Sequence, residues 1–398
     1  MDRPGARLPT LALVAVFLAS MAAGDARSMP RHVLTADYLG GYAGTHKVPF
    51  AAAAPYLSWA EIDVKDANAI SALGIKTIDY TDPNRVAQGD PLYLRDESAY
   101  AHTCEGARIS RDYRAGVKQQ LLDPASPRLQ SAYRAYLRGQ AGSGHFDAFF
   151  YDDANNLYGM NGKPCNFSEH AWLAATMRQI AGLGFPIIYS NLDAPGMTAL
   201  NADRNVLGGL LEECYTRSSE PTAPYTSGEL WMEHENIELH MAHDRKLLFC
   251  YNNDTEQASG AEGPRLYTLA SFLLTYDPAT SVLWEYFQSP SGFHVLPESG
   301  FVALDPLRAA PHDIGELRRA GGAFGREYAA CYLRGAPLGA CAVAVNPDPS
   351  RTAPFPFAGY RRSLRVEGGS IADGGQAQIS AAALARSLAP LRAVIAVR

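Results

Sequence analysis

Two stretches of this sequence end an apolar run on a pair of carboxylates. FDAFFYDD (146–153) closes on Asp152 and Asp153, and GGLLEECY (208–215) carries Glu212 and Glu213 directly after its apolar core. Two carboxyl groups that face each other across a cleft can divide one task. One protonates a leaving oxygen while the other attacks carbon or activates water, which is the chemistry of glycosidic-bond hydrolysis. In a strand, residues two apart share a face. Asp152 therefore shares its face with Ala148 and Phe150, and Glu212 with Gly208 and Leu210. Asp152 and Glu212 are the expected catalytic pair. Asp153 and Glu213 stay as alternatives, because alternation is weakest at the last residue of a strand.

Other short runs end in the same way. Asp37 and Tyr38, Asp79 and Tyr80, Asn191, Tyr251 and Asn252, and Glu285 close or follow them, and Asn155 follows the first acid pair. Acids, amides and tyrosines gathered on one side of a fold suit a polyhydroxylated ligand. Carboxylates and amides take up hydroxyl pairs, and aromatic faces cover sugar C–H surfaces. A plainer role is helix capping, since Asp and Asn in such loops often cap the helix that follows. Asp193, Asp254 and one member of the Asp152–Asp153 pair suit that role.

These residues need a scaffold that brings many strand ends together. Eight apolar or β-branched runs supply one: 32–38, 55–62, 75–80, 146–153, 185–193, 206–215, 246–254 and 280–287. Most are separated by segments of helical period, such as 126–140, 168–184, 228–246 and 263–277. Strands alternating with helices predict a parallel sheet, and eight units in under about 300 residues predict a closed (β/α)8 TIM barrel, whose working residues sit at the carboxyl ends of the strands. Residues 81–125 form a long insertion between the third and fourth runs, placed to lie over that face. After about residue 315 short strand-like runs alternate with turns. The expected organisation is a signal peptide over 1–26, a barrel over 30–314 and a small antiparallel β domain over 315–398. Arg3, Arg7 and the apolar run from Leu8 to Met21, followed by Ala22, Ala23 and Gly24, carry the first expectation.

FDAFFYDD is similar to the FDGxFLD signature on the fourth strand of glycoside-hydrolase barrels, among them the endo-α-1,4-polygalactosaminidase family and related bacterial glycosidases. Ala148 stands where that signature has Gly. KTIDYTDPNR and REYAACYLRG…AVAVNPD also resemble this group, so the likeness spans most of residues 32–350. It implies a barrel and a glycosidase reaction. The family's strand-4 Asp falls on Asp152 and its strand-6 Glu on Glu212 or Glu213.

Other classes fit less well. A net charge of −6 with scattered Lys and Arg disfavours a nucleic-acid partner. No glycine-rich fingerprint follows the first run, so no cofactor is expected. No later segment is apolar enough for stable membrane insertion. Six cysteines in an exported chain predict disulfides. Cys331 and Cys341 bracket a short hairpin, Cys214 and Cys250 end neighbouring strands, and Cys104 and Cys165 sit in loops. No CxxC occurs and the strand ends are poor in His, so no metal is expected; His240 and His243 suit a solvated helix face. The expected partner is a polysaccharide or oligosaccharide. A non-catalytic sugar-binding barrel and a metal-dependent hydrolase of a modified sugar are the alternatives.

Overall fold

The computed structural model describes residues 31–39, 50–114, 116–154, 157, 159–217, 225–253, 262–286, 295–371 and 374–398. The expected signal peptide and Asn155 lie outside the described residues, and Glu285 is described as a strand position without its side chain.

All eight apolar runs are barrel strands: β1 (Leu34–Tyr38), β2 (Trp59–Glu61), β3 (Lys76–Thr81), β4 (Ala148–Tyr151), β5 (Ile187–Tyr189), β6 (Val206–Leu211), β7 (Leu247–Asn253) and β8 (Ser281–Tyr286). They pair in parallel, each with its sequence neighbour, and β1 closes the ring against β8. The fold is a (β/α)8 barrel followed by antiparallel β structure.

Strands buried on both faces explain the near-continuous apolar runs. One face fills the bore with Ala36, Trp59, Ile78, Ala148, Phe150, Ile188, Leu210, Phe249, Val282 and Trp284. Phe249 meets Trp59 and Trp284 edge-on, at centroid distances of 5.6 and 5.7 Å. The other face, with Phe149, Tyr151, Tyr189, Leu211 and Leu248, joins the core beneath the helices. Gly208 marks a close approach. A Cβ there would stand 2.0 Å from the Leu247 carbonyl oxygen, so β6 and β7 can pair only with glycine at that position.

Four long helices pack outside. In α1 (Pro127–Ser143), Ser126 caps the first turn through its Oγ, which accepts from the Leu129 N–H at 3.3 Å. Leu129, Tyr133 and Leu137, four apart, form its buried stripe, leaving Tyr136 half-buried at the edge. α2 (Glu169–Leu183) is capped by Ser168 and ends on Gly184 at φ 75°. α3 (Gly228–His243) and α4 (Glu262–Thr275) follow β6 and β7. Every residue of α4 from Arg265 to Thr275 is buried, because the helix lies between the barrel and a six-stranded antiparallel sheet.

That sheet consists of β9 (Phe301–Pro306), β10 (Phe324–Leu333), β11 (Ala336–Asn346), β12 (Arg362–Glu367), β13 (Gln376–Ser380) and β14 (Arg392–Val397), in the order β9-β10-β11-β14-β12-β13. It begins at Phe301, inside the stretch expected for the barrel. The three disulfides are Cys104–Cys165, Cys214–Cys250 and Cys331–Cys341, with Cα separations of 4.5, 5.5 and 6.0 Å. Among the described residues no helix is long and apolar enough to cross a membrane.

The buried face of α3 carries an acid pair. Glu235 and Glu238 are both fully buried, and the Thr275 hydroxyl lies 2.7 Å from one carboxyl and 2.8 Å from the other. The Tyr215 hydroxyl donates to Glu238 Oε2 at 3.0 Å. One threonine proton cannot serve both acids, so at least one carboxyl must carry its own. Burial pushes Glu235 well above the usual range and Glu238 up to about 7. The folded chain thus keeps protons that the unfolded chain releases near 4.5. That stability is fully present below 4.5 and is lost as pH rises through about 7. Glu238→Gln should therefore gain about 1–3 kcal/mol over the parent at pH 8 and almost nothing at pH 5. Thermal melts across that range would show it, and an offset independent of pH would refute the assignment.

Candidate active site

The parity at the strand ends is set by how each ladder stops. The Asp152 N–H donates to the Thr81 carbonyl at 2.9 Å, continuing the β3–β4 pairing one residue beyond β4. Asp152 thereby keeps the inward face of Ala148 and Phe150. The next residue, Asp153, turns to φ 50°. The same step follows β6, where Glu213 has φ 50°, and β5, where Asn191 has φ 58°. Such conformations are uncommon for residues other than glycine and cluster where function holds them. Here they turn each second residue out of the bore.

The outcome separates the two acid pairs. Asp152 and Glu212 both line a cavity of about 560 Å³ at the carboxyl ends of the strands, and Asp153 and Glu213 do not. Asp153 forms an ion pair with the buried Arg85, and the Asn84 side-chain amide donates to its backbone carbonyl at 2.7 Å. Glu213 pairs with Arg217 at 3.2 Å.

Both oxygens of Asp152 accept hydrogen bonds. The Tyr80 hydroxyl donates to Oδ2 at 2.6 Å, and the Asp153 N–H donates to Oδ1 at 2.8 Å. Glu212 opens onto the same cavity. Desolvation by the surrounding walls, then the charges of Asp152 and Asp153, push its carboxyl up to about 7. Asp82 lines the cavity as well, and burial followed by the charges of Asp153 and Asp152 pushes it well above the usual carboxylate range.

Phe150, Leu210, Tyr251 and Trp284 also line this cavity, with Tyr38, Tyr80, Tyr113 and Tyr136 around them. Tyr251 meets Trp284 edge-on at 6.2 Å. Trp59 and Trp231 are core residues: Trp59 lies in the bore, and Trp231 donates from its indole N–H to the Ser271 hydroxyl at 2.9 Å. The insertion supplies Asp90, Pro91, Leu92, Tyr113 and Gln119 as an outer wall. It is folded, as a three-stranded antiparallel sheet of Arg85–Ala87, Ser110–Arg114 and Val117–Leu121. Cys104–Cys165 ties this sheet to the loop after β4, helped by backbone bonds from Asn161 to Ser110 (2.8 Å) and from Cys165 to His102 (2.9 Å).

The remaining expected residues occupy different places. Tyr38 and Tyr251 line the cavity. Asp37 is buried on the outward face of β1 and accepts from the Tyr38 N–H at 2.7 Å. Asn252, also outward, accepts from the Tyr215 and Thr216 N–H groups at 2.9 and 3.3 Å, fixing the loop behind Glu212. Asn191 accepts from the Ser190 hydroxyl at 3.2 Å and does not line the cavity. Asp79 accepts from Gln140 at 3.1 Å and borders a second cavity of about 420 Å³; burial is the main cause that pushes it up to about 6. His240 and His243 lie at the end of α3 beside Asp244, and among the described residues no cluster of metal-ligating side chains forms.

Glu61 is the acid that the sequence reading passes over. It ends β2 on the inward face and borders both cavities. Its signal was the alternation Trp59-Ala60-Glu61, hidden by a strand of three residues.

No family model matches the chain, and no curated protein does. Solved structures that are similar include a trehalulose synthase variant in complex with Tris, at 10% identity over 92% of this chain and 99% of that one, with a TM-score of 0.50. The glycoside hydrolase domain of PelA from Pseudomonas aeruginosa is 12% identical over 65% of this chain and 95% of that one, with a TM-score of 0.40. Aspergillus fumigatus Ega3, in complex with galactosamine, is 10% identical over 65% of this chain and 92% of that one, with a TM-score of 0.38. At such identities a likeness is one of fold.

Proposed function

We propose that this chain is an exported glycoside hydrolase that cleaves a polysaccharide with two carboxyl groups. Asp152 serves as nucleophile or general base, and Glu212 as general acid. The observation that carries this reading is that two acids from the ends of different strands, Asp152 and Glu212, line one cavity. Asp152 is held at the cavity by two hydrogen bonds, from the Tyr80 hydroxyl and from the Asp153 N–H. Glu212 is pushed up to about 7, so it can hold a proton for a leaving oxygen at neutral pH. Two carboxyl groups facing one cavity can divide the acid and the nucleophile or base roles between them. A cavity of about 560 Å³ lies within the ordinary range for ligand sites, and its tyrosine-rich rim suits sugar rings. Three disulfides accord with export.

The test is release of reducing ends from a panel of polysaccharides: polygalactosamine, its N-acetylated form, chitosan, amylose, galactomannan and cellulose. Cleavage of at least one is expected. Binding without release would identify a non-catalytic sugar-binding barrel, and neither would overturn the carbohydrate reading.

A further inference from the structure

Glu61 has no part in the acid–base pair, yet it lines both cavities, together with Tyr38, Tyr80 and Tyr136. Its carboxyl is reached from both, with the residue only 8% exposed. Among the described residues no hydrogen-bond donor and no cation meets it.

Among the described residues, the groups that β1, β3 and α1 turn toward it are acidic or neutral, and the cations that line its cavities, Lys65 and Arg85, are paired with Asp63 and Asp153. β1 presents Tyr38, β3 presents Asp79 and Tyr80, and α1 presents Tyr136 and Gln140. Asp152, which follows β4 two strands away, is the strongest of the charges acting on Glu61, ahead of Asp79 and Asp63. The loop after β2 carries Asp63 and Lys65, and that lysine is already paired with Asp63 at 3.4 Å. A buried carboxylate with three acids nearby and no cation meeting it among the described residues would be costly. Burial and those neighbours hold Glu61 well above the usual range. A neutral carboxyl presents one O–H donor and one carbonyl acceptor, and this pair matches a sugar hydroxyl, which also donates and accepts.

We propose that Glu61 is a substrate-binding residue that works as a neutral carboxylic acid, hydrogen-bonding a hydroxyl of the sugar unit lying across the ridge between the two cavities. This rests on the carbohydrate reading above. It adds a polar contact beside the bond-breaking pair and commits that contact to the uncharged form. Ionisation of Glu61 would remove the donor and set another negative charge near Asp152, so binding should weaken as pH rises.

The proposal is tested by affinity electrophoresis through gels that contain each polysaccharide of the panel, in a Glu212→Gln background that binds without cleaving. Glu212 is not among the charges that act on Glu61. Adding Glu61→Gln, which keeps a donor and an acceptor, should leave retardation within about threefold and abolish its loss between pH 6 and pH 9. Adding Glu61→Ala should weaken retardation about tenfold or more, the scale of an unmade buried hydrogen bond. In the otherwise unchanged enzyme the alanine defect should fall on KM more than on kcat. Equal binding by the alanine variant, or a glutamine variant as weak as the alanine one, overturns the proposal. So does binding that strengthens as pH rises, which would mean that the ionised form binds a cationic sugar. If a polymer is bound but never cut by the parent enzyme, the hydrolase reading fails and the Glu61 comparison still stands. If none is bound or cut, both fail.

Discussion

Asp152→Asn is expected to lower kcat by about 10⁴-fold or more, the scale on which removing a nucleophile or its base acts. The asparagine keeps the size of the side chain, and its carbonyl oxygen can still accept from Tyr80 or from the Asp153 N–H, so folding should survive. Glu212→Gln should cost about 10²–10⁴-fold, as expected for loss of a general acid. Its signature is in the pH profile. A general acid must be protonated to act, so the parent's activity should fall as pH rises through about 7, and that limb should vanish in the glutamine variant. Tyr80→Phe removes the O–H that donates to Asp152 Oδ2 and should cost about 10–100-fold in kcat. Asp153→Asn is the control. It weakens the pairing of buried Arg85, so it should lower the melting temperature and leave cleavage far nearer the parent rate. Rates and melts measured together decide the matter. An Asp153 variant slower than the Asp152 variant would reverse the assignment.

The sequence made the barrel legible because a strand buried on both faces must be apolar almost throughout, and eight such runs are present. The choice of Asp152 and Glu212 over their neighbours was available only from alternation. It could not be closed there, because inward placement depends on whether the ladder runs one residue further. The Asp152 N–H to Thr81 bond and the left-handed turns at Asp153 and Glu213 settle the placement, and no residue type announces them. The same parity explains Asp37, Asp79 and Asn252, whose types suit sugars but which sit one residue out of phase with Tyr38, Tyr80 and Tyr251. The sheet in the insertion was hidden for another reason. Val117–Leu121 reads VKQQL, too polar and short to declare a strand, and it pairs locally with its hairpin partner and with Arg85–Ala87. Asp82 and Arg85 were missed with it. β9 was assigned to the barrel because Phe301–Pro306 precedes the change in texture, yet its partner β10 lies after it.

The largest effect on stability is expected far from the cavity, at Glu298. Arg265 on α4 donates from Nε to Glu298 Oε1 at 2.7 Å and from Nη2 to Oε2, while Nη1 donates to the Gly368 carbonyl. Both side chains are essentially inaccessible, at 1% and 2% exposure. One guanidinium thus joins a barrel helix, the turn at Pro297–Gly300 that follows the last barrel strand, and the turn after β12. Glu298→Ala removes the carboxylate that takes two of this buried guanidinium's N–H groups and should cost about 3–5 kcal/mol. Replacing the pair together, Arg265→Met with Glu298→Leu, should cost much less than Glu298→Ala alone, because the buried charge leaves with its partner. The comparison separates the penalty of losing one partner from the net worth of the pair, and denaturant midpoints would read it. Because α4 is shared by the barrel and the sheet, the destabilised variant should still unfold in one transition, with the midpoint moved for both. Two resolved transitions would instead mean that the sheet can leave the barrel while the barrel stays folded. Cleavage at temperatures where Glu298→Ala remains folded should match the parent, since neither partner lines the cavity.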